Sequence, residues 1–191
     1  MVILTVSGPG GSGKSTIAVE LAHILGAQRI YVGGIRREIA RSKGMTIQEL
    51  NEYALDHPET DVDVDEEAAS RARRLVKLGK VVLVEGRTQF HFLPESLKLY
   101  ITVDTNEAAK RIWGDLVSSE GQTKRNEKRP KSVAALAKDI RKRDLNDAKR
   151  YKKYYGFDHR RLSHYDYVID TTYLNKEEAI SAVISLVVDL V

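Results

Sequence analysis

Apolar positions in this chain fall into five short runs separated by longer stretches of helical period. Val2–Val6, Arg29–Val32, Lys80–Glu85, Lys98–Val103 and Tyr165–Asp170 read as strands. The third is apolar throughout its centre, Val81-Val82-Leu83-Val84, as in a parallel strand covered on both faces. Between the runs the period changes to that of helices. One helix follows Gly13 and runs to about Leu25, with Ile17, Leu21, Ile24 and Leu25 as its apolar stripe and Gly26 as its stop. Gly33-Gly34 should break the second strand, and Ile35 to Lys43 then reads as a basic helix. Thr46 should cap a helix from Ile47 to about Asp56, with Glu49 at the capping-box position. An acidic stretch, Glu59 to Glu67, leads into a helix ending near Leu78. Thr105 is the expected cap of a helix carrying Ala108, Ile112 and Leu116. Ser132 to about Tyr155 forms a long helix, and Asn175 caps a closing one that runs to Leu190. Ser118 to Lys131 is polar and nearly free of apolar residues, which predicts a mobile loop.

Strands alternating with helices predict an α/β fold, a five-stranded parallel sheet flanked by helices. The helices between Ile35 and Leu78 are too many for one crossover and read as an insert within a single domain. The expected division is a core of 1–34, 79–117 and 162–191, an acceptor-binding insert of about 35–78, and a lid of about 118–155.

The junction of the first strand with the first helix carries the most specific signal. Gly8-Pro9-Gly10-Gly11-Ser12-Gly13-Lys14-Ser15 fits G-x-x-x-x-G-K-[ST], and Thr16 continues into the helix. Glycines let consecutive backbone N–H groups curl around phosphate oxygens, and the helix N-terminus points positive charge at the same anion. Lys14 can reach the β- and γ-phosphates, and the Ser15 hydroxyl can ligate Mg²⁺. The strand–turn–helix context predicts a P-loop NTPase fold that binds a nucleoside triphosphate.

Three further places carry candidate chemistry, two at strand ends, where ligands sit in an open parallel sheet, and one on the long helix. At the end of the third strand, Glu85 can hold Mg²⁺ through water, and Gly86-Arg87 can grip a phosphate. Past the second strand, Gly33 and Arg37 form a candidate clamp for an acceptor phosphate. On the long helix, the face that begins with Val133, Leu136 and Ile140 continues as Arg143, Asp147, Arg150 and Tyr154. An acid spaced between two arginines holds them in one rotamer for a phosphate. Several arginines around two phosphates are what phosphoryl transfer needs, with Lys14, Arg87, Arg143 and Arg150 as candidate catalytic groups.

Charge sharpens this picture. The net charge is +4, yet residues 121–161 hold 15 Lys/Arg against 5 Asp/Glu, so this block is +10 and the rest −6. Such a block can clamp substrate phosphates or bind RNA. Few aromatics precede Tyr151, and the acid-spaced arginines favour the phosphate clamp over a nucleic-acid partner. The chain has no cysteine, which removes disulfides and cysteine metal sites. The apolar run at the N-terminus lacks a basic flank and is broken by Gly8, so neither a signal peptide nor a membrane partner is expected. A cytoplasmic monomer is the expectation. A guanine-reading Asn/Thr-Lys-x-Asp motif is missing, since Thr123-Lys124-Arg125-Asn126 ends in the wrong residue.

These motifs, in this order, resemble the cytidylate kinases of the nucleoside monophosphate kinase group, most nearly the short archaeal-type branch. The resemblance spans nearly the whole chain and is weakest over Trp113–Lys131. It rests on the Gly8–Ser15 loop, Gly33-x-x-x-Arg37-Glu-Ile-Ala40, Gly44–Asn51 and Glu85-Gly86-Arg87. Arg143-Asp144-x-x-Asp147-x-x-Arg150-Tyr151, Tyr155-Gly-Phe-Asp158 and Tyr165–Asp170 complete it. It implies transfer of the ATP γ-phosphoryl group to CMP or dCMP with Mg²⁺, a nucleoside monophosphate-binding insert, and a mobile lid. It also implies that Arg37, Arg87, Arg143, Asp147 and Arg150 surround the acceptor and the transferring phosphate. Tyr31, Arg36 and Thr88 depart from the family pattern, where serine, an aromatic residue and (in the bacterial branch) aspartate are usual, and bear on the choice of base. Two other readings stay open here: a P-loop kinase for another nucleotide or small acceptor, and an RNA-associated P-loop ATPase.

Overall fold

The computed structural model describes residues 2–117, 125–126 and 130–187. Five strands form one parallel sheet in the order β2-β3-β1-β4-β5: β1 (Ile3–Ser7), β2 (Gln28–Tyr31), β3 (Val82–Glu85), β4 (Leu97–Thr102) and β5 (Tyr167–Asp170). Every residue of β1 and β3 is buried, as their continuous apolar character requires. Register follows from that burial: Thr5 pairs with Val84 on one side and Lys98 on the other, and Tyr31 pairs with Glu85. Alternate side chains leave the sheet on opposite faces. Leu4, Val6, Leu83, Leu99 and Ile101 pack on Ile17 and Leu21 of α1 (Lys14–Ile24) and on Val183 and Val187 of the closing helix. Ile3, Ile30, Val82 and Val84 pack on Ala68, Ala69 and Ala72 of a helix on the other face. Burying each large aliphatic side chain of this kind is worth about 1.5–3 kcal/mol.

The remaining helices are α2 (Val32–Ser42), α3 (Ile47–Tyr53), α4 (Glu59–Lys77), α5 (Gln89–Phe92), α6 (Thr105–Leu116), α7 (Val133–Tyr155) and α8 (Lys176–Val187). The expected caps form at Thr46, where a capping box closes with Glu49, and at Asn175; Ser132 caps α7, its hydroxyl accepting from the Ala135 N–H. α7 ends on Gly156 in the left-handed region, at φ 80°.

Several boundaries differ from the sequence reading, each for a local reason. Gly33 and Gly34 do not break the chain between β2 and α2; they form the first turn of α2, where the Tyr31 ring leaves no room for a Cβ. The acidic stretch from Glu59 is not a leader but the start of α4, where acids favour the helix N-terminus. Asp104, not Thr105, caps α6, its carboxylate accepting from the backbone N–H of Asn106 and Glu107. Ile24 is half exposed instead of lining the core, because Ala18 and Ala22 complete the buried face of α1. α5 was not legible, being a single turn of helix directly after a strand. The segment expected to be a mobile loop, Ser118–Lys131, lies outside the described residues apart from Arg125, Asn126, Pro130 and Lys131. Among the described residues no helix is long and apolar enough to cross a membrane.

Candidate active site

The carboxyl ends of β1, β2 and β3 are adjacent in the sheet, and the turns leaving them build the site. From β1 the chain enters the glycine loop. Gly8 has φ +142°, and a Cβ there would meet the Ile101 carbonyl oxygen at 2.1 Å. Gly11, at φ +81°, would meet the Ala108 backbone at 2.7 Å, and Gly13 has φ +83° in open space. Backbone conformation and crowding thus require glycine at 8 and 11, and conformation alone requires it at 13. Gly10 is different: a Cβ there would make only an ordinary contact with Ile112 at 3.7 Å. Ser12 is buried, and its Oγ has no hydrogen-bond partner among the described residues. Lys14 and Ser15 stand in the first turn of α1, while Thr16 points to solvent. Lys14 Nζ donates to the Pro9 carbonyl across its own loop at 2.9 Å.

Glu85 ends β3 fully buried. Ser15 Oγ donates to its Oε1 at 2.5 Å, and the Arg29 guanidinium pairs with its Oε2. Two hard oxygen donors, one hydroxyl and one carboxylate, are therefore side by side at the mouth of the loop. No group of three or more His, Cys, Asp or Glu that could hold a metal occurs among the described residues. This set fits Mg²⁺, which keeps most of its ligands as water and phosphate oxygens. Gly86 follows; a Cβ there would press on Gln89 Cγ at 2.8 Å.

Arginines converge on this mouth from separate elements. Arg87 follows β3 and ion-pairs with Asp147 of α7. The same carboxylate takes Arg150 at 2.8 Å and lies 3.9 Å from Arg143. Asp147 is buried, which alone would raise its pKa; the charges of Arg87, Arg150 and Arg143 overcome burial and bring it down to about 2. Its carboxylate thus holds arginines in place and stays ionised. Arg150, itself buried, also donates through Nε to Asp61 of α4 at 2.6 Å, and its Nη1 is buried with no partner among the described residues. Arg36 of α2 pairs with the other oxygen of Asp61, and donates to Asn51 at 3.0 Å and the Thr60 carbonyl at 2.9 Å. Arg37 donates to the Tyr31 hydroxyl at 2.5 Å and to the carbonyls of Gly33 and Arg125, each at 3.0 Å.

Lys14 records this convergence. Burial first, and then Arg87, lowers its pKa to about 7; Arg143 and Arg37 add to the shift and Glu85 opposes it. The structure therefore gathers Lys14, Ser15, Glu85, Arg37, Arg87 and Arg143 within electrostatic reach of each other, with Asp147 and Arg150 behind them. An orphaned guanidinium N–H, an orphaned serine hydroxyl and a glycine cradle beside a surplus of positive charge suit a phosphate chain.

The sequence reading missed Arg29, Asp61 and Asp65, and treated Arg36 only as a departure. The i, i+4 spacing of Asp61 and Asp65, which puts both acids on one face of α4, was the signal that could have found the pair. Asp65 is buried, accepts from Gln89 Nε2 at 3.0 Å and from the Tyr155 hydroxyl at 2.8 Å, and titrates at about 6. Burial is the main cause and the Asp61 charge the next, with the hydrogen bonds from Tyr155 and Thr88 opposing. Because the folded value lies above the ordinary 3.8, Asp65 favours the fold below about pH 4, and that contribution is lost as pH rises through about 6. Asp65→Asn is isosteric, and the Tyr155 hydroxyl can turn to accept from the new amide. The melting temperature of the variant, relative to the unmodified protein, should therefore rise between about pH 4 and about pH 7. A difference independent of pH would show that Asp65 ionises normally.

Comparison with known proteins completes the description. The family model described as an AAA domain matches residues 4–131. A protein named cytidylate kinase from Methanothrix thermoacetophila is 35% identical over 170 residues, covering 89% of this chain and 88% of its own length. The cytidylate kinase of Pyrobaculum neutrophilum is 36% identical over 181 residues, covering 94% of this chain and 89% of its own. Among solved structures, shikimate kinase from Bacteroides thetaiotaomicron superposes with a TM-score of 0.55 at 15% identity, covering 97% of both chains, which bears on the fold alone. A P-loop fold with these site residues, together with relatives of such identity over nearly the whole chain, establishes that the chain belongs to the cytidylate kinase family.

Proposed function

We propose that the protein transfers the γ-phosphoryl group of ATP to CMP or dCMP, with Mg²⁺, in the cytoplasm and as a monomer. The observation that carries this reading is the set of arginines from α2, β3 and α7 that two buried carboxylates, Asp61 and Asp147, draw together beside the P-loop lysine. A transferring phosphoryl group spreads charge over three oxygens, and fixed cations around it stabilise that charge without reorganising. The names of the relatives supply the acceptor.

In this reading the Gly8–Gly13 loop and Lys14 bind the β- and γ-phosphates of the donor, with Thr16 continuing the helix. Ser15 and Glu85 hold the metal, Glu85 through water. Bound Mg²⁺ neutralises charge on the donor phosphates. Gly33, Arg37, Gly86 and Arg87 bind the acceptor phosphate. Arg143 and Arg150 reach the group in transfer, and Asp147 fixes their rotamers. The acceptor is already an ionised phosphate, so no side chain has to remove a proton from it. The insert spans about 35–78 and the lid about 118–155. The basic block then serves phosphate, not RNA.

The test is ADP formation from Mg-ATP with CMP, dCMP, UMP, AMP and GMP in turn, with Lys14→Ala as the blank. Turnover with CMP or dCMP well above the other three is expected. Preference for another monophosphate would keep the chemistry and move base choice to Tyr31, Arg36 and Thr88.

A further inference from the structure

Arg37 owes its position to one side chain that the family pattern does not supply. Its guanidinium is held by the Tyr31 hydroxyl at 2.5 Å and also donates to two backbone carbonyls. Tyr31 in turn is immobilised from both sides. The Arg29 guanidinium lies over its ring, 4.6 Å from the centroid, and Arg29 is ion-paired to Glu85, which also accepts from Ser15. On the other side the ring is pressed against the first turn of α2. A Cβ at Gly34 would meet Tyr31 Cδ1 at 2.6 Å, and one at Gly33 would meet Cε2 at 3.0 Å. The glycine pair is thus the space that the ring occupies. Tyr31 is also the sheet partner of Glu85 on the neighbouring strand, so its backbone is anchored at the metal side of the site.

We infer that Tyr31 is a positioning residue. Its ring, clamped between Arg29 and the Gly33-Gly34 turn, aims a hydroxyl that fixes Arg37 toward the acceptor phosphate. Through Arg29 and Glu85, the same ring ties that arginine to the Ser15 side. The inference rests on the acceptor role proposed above for Arg37. A flexible arginine must be ordered each time it grips a phosphate; one already held in place loses less freedom on binding. Tyr31 has no role in the phosphoryl chemistry itself, so its effect belongs in acceptor binding and not in donor binding.

Tyr31→Phe isolates the hydroxyl, because it keeps the ring, its packing on the glycines and its contact with Arg29. The variant should raise the KM for the acceptor about tenfold, with the KM for ATP changed less than about twofold and the melting temperature unchanged. In an Arg37→Ala background, Tyr31→Phe should have no further effect on acceptor KM. Proton–nitrogen spectra of the arginine side chains give a readout that does not depend on turnover. The Arg37 Nη1 signals should exchange slowly in the unmodified protein and markedly faster in Tyr31→Phe. An unchanged acceptor KM, equal rises in both KM values, or persistence of the effect without Arg37 would overturn the inference. So would guanidinium exchange that Tyr31→Phe leaves unchanged. The unmodified protein's substrate panel reports separately on the proposed function, so failure there is distinct from failure here.

Discussion

Lys14→Ala is expected to lower turnover by about 10²- to 10³-fold while leaving the fold intact. The lysine stands in the first turn of α1 among cations: Arg87, Arg143 and Arg37 all act on it, and burial adds to them. Its folded pKa of about 7 lies below the ordinary 10.5, so the folded protein binds fewer protons than the unfolded chain between these values. Stability therefore rises with pH across that window, and below it the charged lysine works against the fold. Removing the lysine should leave the melting temperature near neutral pH equal to that of the unmodified protein, or higher. Placing a triphosphate beside Lys14 reverses the balance, because the anion favours the ammonium form. ATP binding near pH 8 should accordingly take up a proton. Calorimetry in two buffers of different ionisation enthalpy measures that uptake directly, and Lys14→Ala should abolish it. Equal uptake in both proteins would place the titrating group elsewhere; surviving turnover would remove Lys14 from the phosphate site.

The parts of this site that can be read from sequence are those that depend on local chemistry. The Gly8–Ser15 loop is one, since its backbone demands glycine at set spacings. The acid between two arginines on α7 is another, because helical period alone brings Arg143, Asp147 and Arg150 to one face. The five strands were legible because the central ones are continuously apolar. What was not legible depends on pairing across the fold. Asp61 looked like one charge in an acidic run of α4, yet it lies between arginines 25 and 89 residues away. Arg29 carried no signal beyond opening a strand, and only the fold brings its guanidinium to Glu85 and over the Tyr31 ring. Gly33-Gly34 carried a breaker signal, and only the position of the Tyr31 ring shows why two glycines open a helix there.

Asp61→Ala is expected to destabilise the fold by about 3–5 kcal/mol, because it removes the carboxylate between the buried Arg36 and Arg150 and leaves Arg150 only its pair with Asp147. Thermal unfolding measures this, and a loss below about 1 kcal/mol would show that water compensates the two guanidinium groups. The larger question is why an arginine–carboxylate–arginine triad is buried at all. Well-packed apolar side chains of similar volume commonly match or exceed such a triad in stability. Replacing all three together, as Arg36→Met, Asp61→Leu and Arg150→Met, should therefore restore most of the lost stability. It should restore none of the turnover. Asp61 joins α4 to Arg150 of α7, and Asp147 carries the connection on to Arg87 just past β3. The triad thus holds three separate parts of the chain in one register, and leaves Arg150 Nη1 without a partner among the described residues. A stable triple variant without activity would show that the triad serves the transfer reaction and not stability. A stable triple variant with full activity would show that Arg150 does not touch the group in transfer, leaving Arg87 and Arg143 to stabilise it.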